Sequence, residues 1–114
     1  MGDHAEYRPT GDVSLSEMVQ LVGSALVFAR EQQIEKLLVV TTGLTGFRPP
    51  LIVDRYYFIH DWAEASGHIV SAAFVASPEM IDFRKFGVTV AANSGFIADI
   101  YAFEDEARAW LQNA

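Results

Sequence analysis

Hydrophobic and polar residues follow a helical spacing in the first long segment of the chain. Apolar residues recur there every three or four positions, at Leu15, Met18, Val22, Ala25, Leu26 and Ala29. Just before them, Ser14 and Glu17 form the sequence of a capping box, in which each side chain accepts from the other residue's main-chain N–H. The pattern predicts a helix over residues 15–33 that begins at Ser14.

Two later segments, residues 37–40 and 69–76, are apolar without alternation. This is typical of strands that are covered on both faces. Thr41 and Thr42 extend the first of them into a loop. A further strand is predicted over residues 98–103, and an edge strand over residues 5–10, where Pro9 interrupts the pattern.

Three more helices are predicted between and after these strands. The second runs from Pro50 to Gly67, with Tyr57 pointing outward and Tyr56 sideways. Its buried stripe is predicted to contain Leu51, Phe58, Trp62 and Ala65, flanked by Ile52, Ile59 and Ala63.

Ser77 is predicted to cap a helical turn at Pro78. The third helix is predicted over residues 82–93, and the fourth begins near Glu104.

Strand and helix therefore alternate along the chain, which predicts an α/β fold with parallel pairing through right-handed crossovers. We expect a roughly four-stranded, mostly parallel mixed sheet with helices packed on it. The 114 residues suit one domain, 1–114, with its core over about 5–112.

Composition excludes several classes of protein. The chain has no cysteine, which excludes a disulfide scaffold, a zinc ribbon and a thiol nucleophile. Its net charge is −7, from 8 basic and 15 acidic residues, so a nucleic-acid partner is not expected. No apolar run reaches the ~18 to 20 residues of a membrane span, and the first residues lack the pattern of a secretory signal. We expect a cytoplasmic protein.

The side chains capable of catalysis or metal binding are not spaced for either role. His60 and His68 are eight residues apart, whereas paired helical ligands are three or four apart. The acids of the second helix, Asp54, Asp61 and Glu64, fit a solvated face. The loop Gly43–Gly46 matches neither the dinucleotide nor the P-loop pattern. We therefore expect no catalytic residue, no metal and no cofactor.

The order of these elements resembles the STAS superfamily, which comprises domains of sulfate transporters, anti-sigma factor antagonists and their SpoIIAA-like relatives. The resemblance lies in residues 10–15, the amphipathic helix after them, and residues 37–47. The stretches 54–62, 85–91 and 106–111 are also similar to small bacterial SpoIIAA-like proteins.

The resemblance implies a protein-interaction or regulatory module without enzymatic activity. In anti-sigma factor antagonists, the loop after the central strand carries an Asp-Ser pair, and a kinase phosphorylates the Ser. The corresponding places here fall near Arg48 and Pro49, neither of which can carry a phosphate. The phosphorylation switch of those proteins is therefore not expected in this chain.

Two functional hypotheses remain open. In the first, a protein partner contacts the loop after the second strand and the start of the second helix. The candidate contact residues are Thr41, Thr42, Thr45, Phe47, Arg48, Arg55, Tyr56 and Tyr57. The surplus of large apolar side chains on the second helix also predicts a homodimer. In the alternative, the domain carries or senses a lipid-like apolar molecule between the sheet and the second and third helices.

Overall fold

A computed structural model describes residues 4–81 and 85–114, in which strands and helices alternate. In chain order the elements are β1 (Ala5–Tyr7), β2 (Gly11–Asp12), α1 (Leu15–Glu31), β3 (Lys36–Val40), β4 (Leu44–Thr45), α2 (Ile52–Ser66), β5 (Ser71–Val75), α3 (Phe86–Asn93), β6 (Ala98–Tyr101) and α4 (Glu104–Gln112). A short 3₁₀ turn, Pro78–Met80, follows β5.

The main sheet has four strands in the order β1-β3-β5-β6, which is also their order along the chain. Every pairing is parallel, and Val40 on β3 is in register with Val75 on β5. The predicted α/β class is confirmed, with a parallel sheet and one compact domain.

Helices cover both faces of this sheet. Leu37 and Val39 of β3 face a cluster formed with α1, α2 and α3. Leu38 and Val40, which alternate with them, face a second cluster formed with α4. Because neighbouring side chains of a strand point to opposite faces, a strand that is covered on both sides is apolar at every position.

The capping box begins α1 as the sequence predicts. The Glu17 N–H donates to Ser14 Oγ at 3.1 Å, and the Ser14 N–H donates to Glu17 Oε1 at 2.9 Å. The helix ends at Glu31, two residues before the predicted end at residue 33. Gln33 has a φ of 59°, so the main chain has left the helical conformation there.

The first turn of α2 differs from the prediction. The helix begins at Ile52 rather than at Pro50, and Asp54 Oδ2 accepts from the Leu51 N–H at 3.0 Å. Leu51 and Ile52 were expected in or beside the buried stripe, but they are 68% and 61% exposed. Burial along α2 starts only at Phe58, so the first turn extends beyond the packed face.

The strands β5 and β6 are shorter than predicted. Gly67 and His68 both have positive φ angles, 61° and 60°, so the chain is still turning there. As a result β5 begins at Ser71, and Ile69 lies outside the strand and is exposed. The last strand ends at Tyr101 rather than at residue 103. The predicted third helix is found over Phe86–Asn93, while its expected residues 82–84 lie outside the described part.

A two-stranded sheet that the sequence did not predict joins the start of α1 to the loop after β3. Gly11 pairs with Leu44 and Asp12 with Thr45, both in parallel. Gly46 follows with a φ of 101°, and a Cβ at this position would collide with the side chain of Asp12. Glycine therefore allows the loop to pass close to β2.

A network of charged side chains links the edge strand β1 to α4. Arg8 donates from Nη1 and Nη2 to both carboxylate oxygens of Glu104, at 3.0 and 2.7 Å. Arg8 also donates to Glu6, and Arg108 donates to Glu6 and Glu104. These side-chain contacts therefore tie the edge strand β1 to a helix that packs mainly on β3, β5 and β6.

Candidate functional site

The candidate site lies at the carboxyl ends of β3 and β5, where ligands commonly bind to parallel α/β sheets. Thr41 follows β3, and Ser77 follows β5 by two residues. The N–H and the Oγ1 hydroxyl of Thr41 both donate to the carbonyl oxygen of Val75, at 2.9 and 3.0 Å. Thr41 is thereby fixed beside the end of the neighbouring strand.

A cavity of about 110 Å³ opens at this edge, between the sheet and helices α2 and α3. Most of its wall is apolar, formed by Met18, Leu44, Phe47, Phe58, Ile59, Trp62, Phe74, Met80, Val88, Ala91, Ala98 and Ile100. The lining comes from strands β5 and β6 and from helices α1, α2 and α3, so the cavity is a product of tertiary packing. We call it the α2–α3 cavity.

The aromatic part of this wall is held in place. Trp62 stacks on Phe74 with ring centroids 5.2 Å apart and 12° between the ring planes. Phe58 also contacts the indole, with ring centroids 4.6 Å apart and the ring planes tilted by 44°. The Trp62 Nε1–H donates to the carbonyl oxygen of Val19 on α1, at 3.0 Å. Packing and this hydrogen bond together fix the ring orientation without a ligand.

Five polar or charged residues also line the α2–α3 cavity: Thr41, Arg55, Ser77, Lys85 and Asp99. Arg55 donates from Nε to the Pro50 carbonyl at 3.3 Å and from Nη2 to the Met80 carbonyl at 3.1 Å. It therefore joins α2 to the loops on either side of the cavity mouth.

Ser77 differs from the cap that the sequence predicts. It occupies the N-cap position of the 3₁₀ turn, but its hydroxyl makes no capping hydrogen bond. Within residues 4–81 and 85–114 this hydroxyl has no hydrogen-bond partner, and Ser77 is one of the residues that line the cavity. Ser77 therefore keeps both a donor and acceptors for another group.

Lys85, Asp99 and Tyr101 form a polar cluster at the free edge of β6. The Lys85 Nζ lies 2.8 Å from Asp99 Oδ1 and 4.6 Å from the centre of the Tyr101 ring. The Tyr101 hydroxyl donates to Asp99 Oδ2 at 2.9 Å. Burial of the ring, followed by this hydrogen bond to Asp99, raises the pKa of Tyr101 to about 12. The phenol is therefore protonated at neutral pH and is a poor general base there.

The structure separates the eight predicted contact residues into two groups. Thr41, Phe47 and Arg55 line the cavity. The other five, Thr42, Thr45, Arg48, Tyr56 and Tyr57, are exposed and outside it. Thr45 belongs to β4, and its hydroxyl lies 3.5 Å from the Gly11 carbonyl oxygen.

Three cavity residues were missed by the sequence analysis: Ser77, Lys85 and Asp99. For Ser77 a signal existed, because it follows a predicted strand in the same way as Thr41 does. Lys85 and Asp99 are 14 positions apart and belong to different elements, so no local pattern relates them.

The two histidines in the body of the domain lie apart from the cavity. His60 Nδ1 is 3.2 Å from Ser94 Oγ, and His68 Nδ1 is 3.2 Å from the Gly95 carbonyl oxygen. Across the described ranges, no three side chains of His, Asp or Glu come together as a metal site.

A second feature lies on the outside of α2 and the residue before it. Five large apolar or aromatic side chains are exposed there: Leu51, Ile52, Val53, Tyr56 and Tyr57. Tyr56 contacts both Tyr57 and His60 edge-to-face, with ring centroids 5.5 and 4.6 Å apart. We call this surface the α2 apolar face.

None of the helices in the described residues is both long and apolar enough to cross a membrane. The chain matches no protein-family model, no curated protein and no solved structure.

Proposed function

We propose that the chain is a non-enzymatic, STAS-like module that binds a small apolar molecule in the α2–α3 cavity. The observation that carries the proposal is the cavity itself, with a fixed aromatic wall of Phe58, Trp62 and Phe74. An apolar pocket with a few convergent polar groups is the usual form of a small-molecule site. A cytoplasmic location belongs to the same proposal, because a chain without cysteine suits a reducing compartment.

The energetics of packing support a ligand at this place. Protein interiors are close-packed, and voids larger than a water molecule are few. At roughly 24 cal/mol per Å³, an apolar cavity of about 110 Å³ corresponds to on the order of 3 kcal/mol in lost contacts. A molecule that fits the cavity restores those contacts, so this energy favours binding.

Benzene is a suitable probe, because it has no polar group and tests the apolar wall alone. We expect millimolar benzene to shift the amide resonances of Trp62, Phe74 and Ala98 in a ¹H–¹⁵N spectrum. Ala98→Leu should abolish those shifts by filling the cavity from β6. Ala25→Leu is the matched control, since Ala25 is also half-buried but lies on α1 outside the cavity. The proposal would be contradicted if benzene caused no amide shifts in the wild type, or if it caused the same shifts in Ala98→Leu.

The α2 apolar face supports a second candidate function, protein–protein contact, for which we propose a second copy of the chain as the partner. Tyr57 is 66% exposed and stands among four other exposed apolar or aromatic side chains. Exposed apolar patches of this kind mark interaction surfaces, and tyrosine is enriched in them. Two-fold pairing is the commonest way in which a chain covers such a patch.

Sedimentation at increasing protein concentration tests this second candidate. We expect the wild type to shift from monomer to dimer, and Tyr57→Glu to remain monomeric. Phe28→Glu is the control, because Phe28 is equally large and exposed but lies on α1. A single species of 12.6 kDa at high micromolar concentration would contradict pairing through α2.

A further inference from the structure

We infer that the ligand of the α2–α3 cavity is neutral, about the size of one six-membered ring, and carries a hydroxyl group that hydrogen-bonds to Thr41 and Ser77. The inference rests on the proposed function and specifies the chemical class of its ligand. It depends on the volume of the cavity, on the hydrogen-bonding state of the two hydroxyls, and on the position of the nearby charges.

The volume limits the ligand to a compact molecule. Pockets that enclose drug-sized ligands measure roughly 300 to 1,000 Å³, whereas this cavity measures about 110 Å³. It is of the same order as the engineered cavity of about 150 Å³ that holds benzene in another protein. Phe58, Trp62 and Phe74 all line the cavity, so aromatic side chains form part of the wall that such a ring would contact. A long acyl chain, the lipid-like ligand suggested by the sequence, exceeds this space.

The hydrogen-bonding state of Thr41 and Ser77 selects a hydroxyl group. The Thr41 hydroxyl already donates to the Val75 carbonyl, so only its lone pairs remain for a ligand. The Ser77 hydroxyl is unpaired in the described part of the chain and can donate or accept. A ligand hydroxyl can donate to Thr41 and accept from Ser77 at once. A carboxylate cannot, because it has no proton to donate.

The two charged side chains on the β6 side of the cavity, Lys85 and Asp99, compensate each other. The Lys85 ammonium is paired with Asp99 and lies over the Tyr101 ring. Tyr101 packs against the α4 side of the sheet, whereas Ala98 and Ile100 face the cavity side. The ammonium group of Lys85 therefore lies toward the edge of β6. Arg55 is held by the carbonyl oxygens of Pro50 and Met80.

Asp99 is equally occupied, which argues against a cationic ligand. Its Oδ1 accepts from Lys85 Nζ and from the Ile100 N–H, and its Oδ2 accepts from the Tyr101 hydroxyl. An ammonium group would have to displace one of these donors while lying close to two protein cations. A neutral ligand disturbs none of these contacts.

The test compares phenol, toluene, benzoate and benzylamine, each with one ring of the same size, by ¹H–¹⁵N titration of the full chain. We expect phenol to bind most tightly. Ser77→Ala should weaken phenol binding by roughly 3- to 10-fold, the loss of about one hydrogen bond, and leave toluene binding within about twofold. Ser71→Ala is the control, because Ser71 is the first residue of β5 and lies at the end of that strand away from Ser77.

The outcomes separate this inference from the proposed function. If none of the four probes, nor benzene, shifts the cavity resonances, the proposed function itself fails. If benzoate or benzylamine binds more tightly than phenol, ligand binding stands but the neutral hydroxyl ligand is wrong. If Ser77→Ala binds phenol with unchanged affinity, the inferred hydrogen bond between Ser77 and the ligand is wrong. Retained toluene binding shows that the variant is folded. If 2-naphthol shifts the cavity resonances as strongly as phenol does, the inference that the ligand has the size of a single ring is wrong.

Discussion

Trp62 on α2 donates its indole N–H to the main-chain carbonyl of Val19 on α1, at 3.0 Å, and so joins two of the three helices that cover one face of the sheet. The same indole forms part of the wall of the α2–α3 cavity. Removal of the donor should therefore affect both the stability of the fold and the shape of the site.

We expect Trp62→Phe to lower the free energy of unfolding by about 2 to 3 kcal/mol, since it removes a hydrogen bond and leaves space beside Phe74. Urea unfolding with an unchanged m-value measures this loss. Trp110→Phe is the control, because Trp110 lies on α4, on the other face of the sheet. Equal losses in the two variants would show that the contact with Val19 has no specific role.

The capping box gives a second prediction. Ser14→Ala should lower the unfolding free energy by about 1 kcal/mol, because the Glu17 N–H loses its acceptor. Ser16→Ala removes a hydroxyl from the first turn of the same helix, where it is exposed and makes no hydrogen bond in the described structure. A thermal melt in which both variants match the wild type would contradict the importance of the cap.

The link between β1 and α4 should make stability depend on pH. Hydrogen bonds from Arg8, then from His4 and Arg108, lower the pKa of Glu6 from 4.5 to about 2. A group with a depressed pKa in the folded state stabilises the fold above its unfolded pKa. The contribution of Glu6 is therefore present above pH 4.5 and is lost as the pH falls through about 2.

We expect Glu6→Gln to cost about 1 kcal/mol at pH 7, the upper range for a solvent-screened ion pair, and to flatten the stability profile between pH 4.5 and 2. Denaturant unfolding across this range measures both effects. Glu35→Gln is the control, since Glu35 is exposed and its carboxylate has no ion pair among the described residues. If the unfolding free energy of Glu6→Gln falls between pH 4.5 and 2 as steeply as that of the wild type, the predicted link between Glu6 protonation and stability is wrong.

Gly46 is expected to be sensitive to substitution. Its φ of 101° is unfavourable for other residues, and a Cβ would meet Asp12 and the Val13 carbonyl. Gly46→Ala should cost roughly 1 to 3 kcal/mol. Gly23→Ala is the control, and we expect it to raise the stability, because Gly23 is inside α1, where alanine is favoured over glycine. A Cβ added at this position would lie 3.8 Å from Trp62, an ordinary contact. Similar melting temperatures for the two variants would contradict this assignment.

The sequence predicted the elements whose signals are local. The start of α1 was correct because Ser14 and Glu17 are three residues apart and their two capping hydrogen bonds involve no distant segment. The strand cores were correct because burial on both faces makes every position apolar. The class of the fold followed from the alternation of these elements.

The features that the sequence missed depend on the packing of distant segments. β2 and β4 have two residues each, too few for a periodic pattern, and their partners are 33 positions apart. Leu51 and Ile52 are apolar yet exposed, and hydrophobicity alone cannot show where the packed face of α2 begins. A ligand between the sheet and the second and third helices was one of the two hypotheses from the sequence, but the size of the cavity was not predicted, because it depends on how closely α2 and α3 approach the sheet.

The position of α4 has a consequence for synthesis on the ribosome. β1, β3, β5 and β6 can pair in the order in which they are made, because each new strand adds beside the previous one. Leu38, Val40 and Val75, however, have no cover until Ala107 and Leu111 of α4 have emerged. A nascent chain that pauses before residue 104 therefore presents an open apolar sheet face, the kind of surface that chaperones bind.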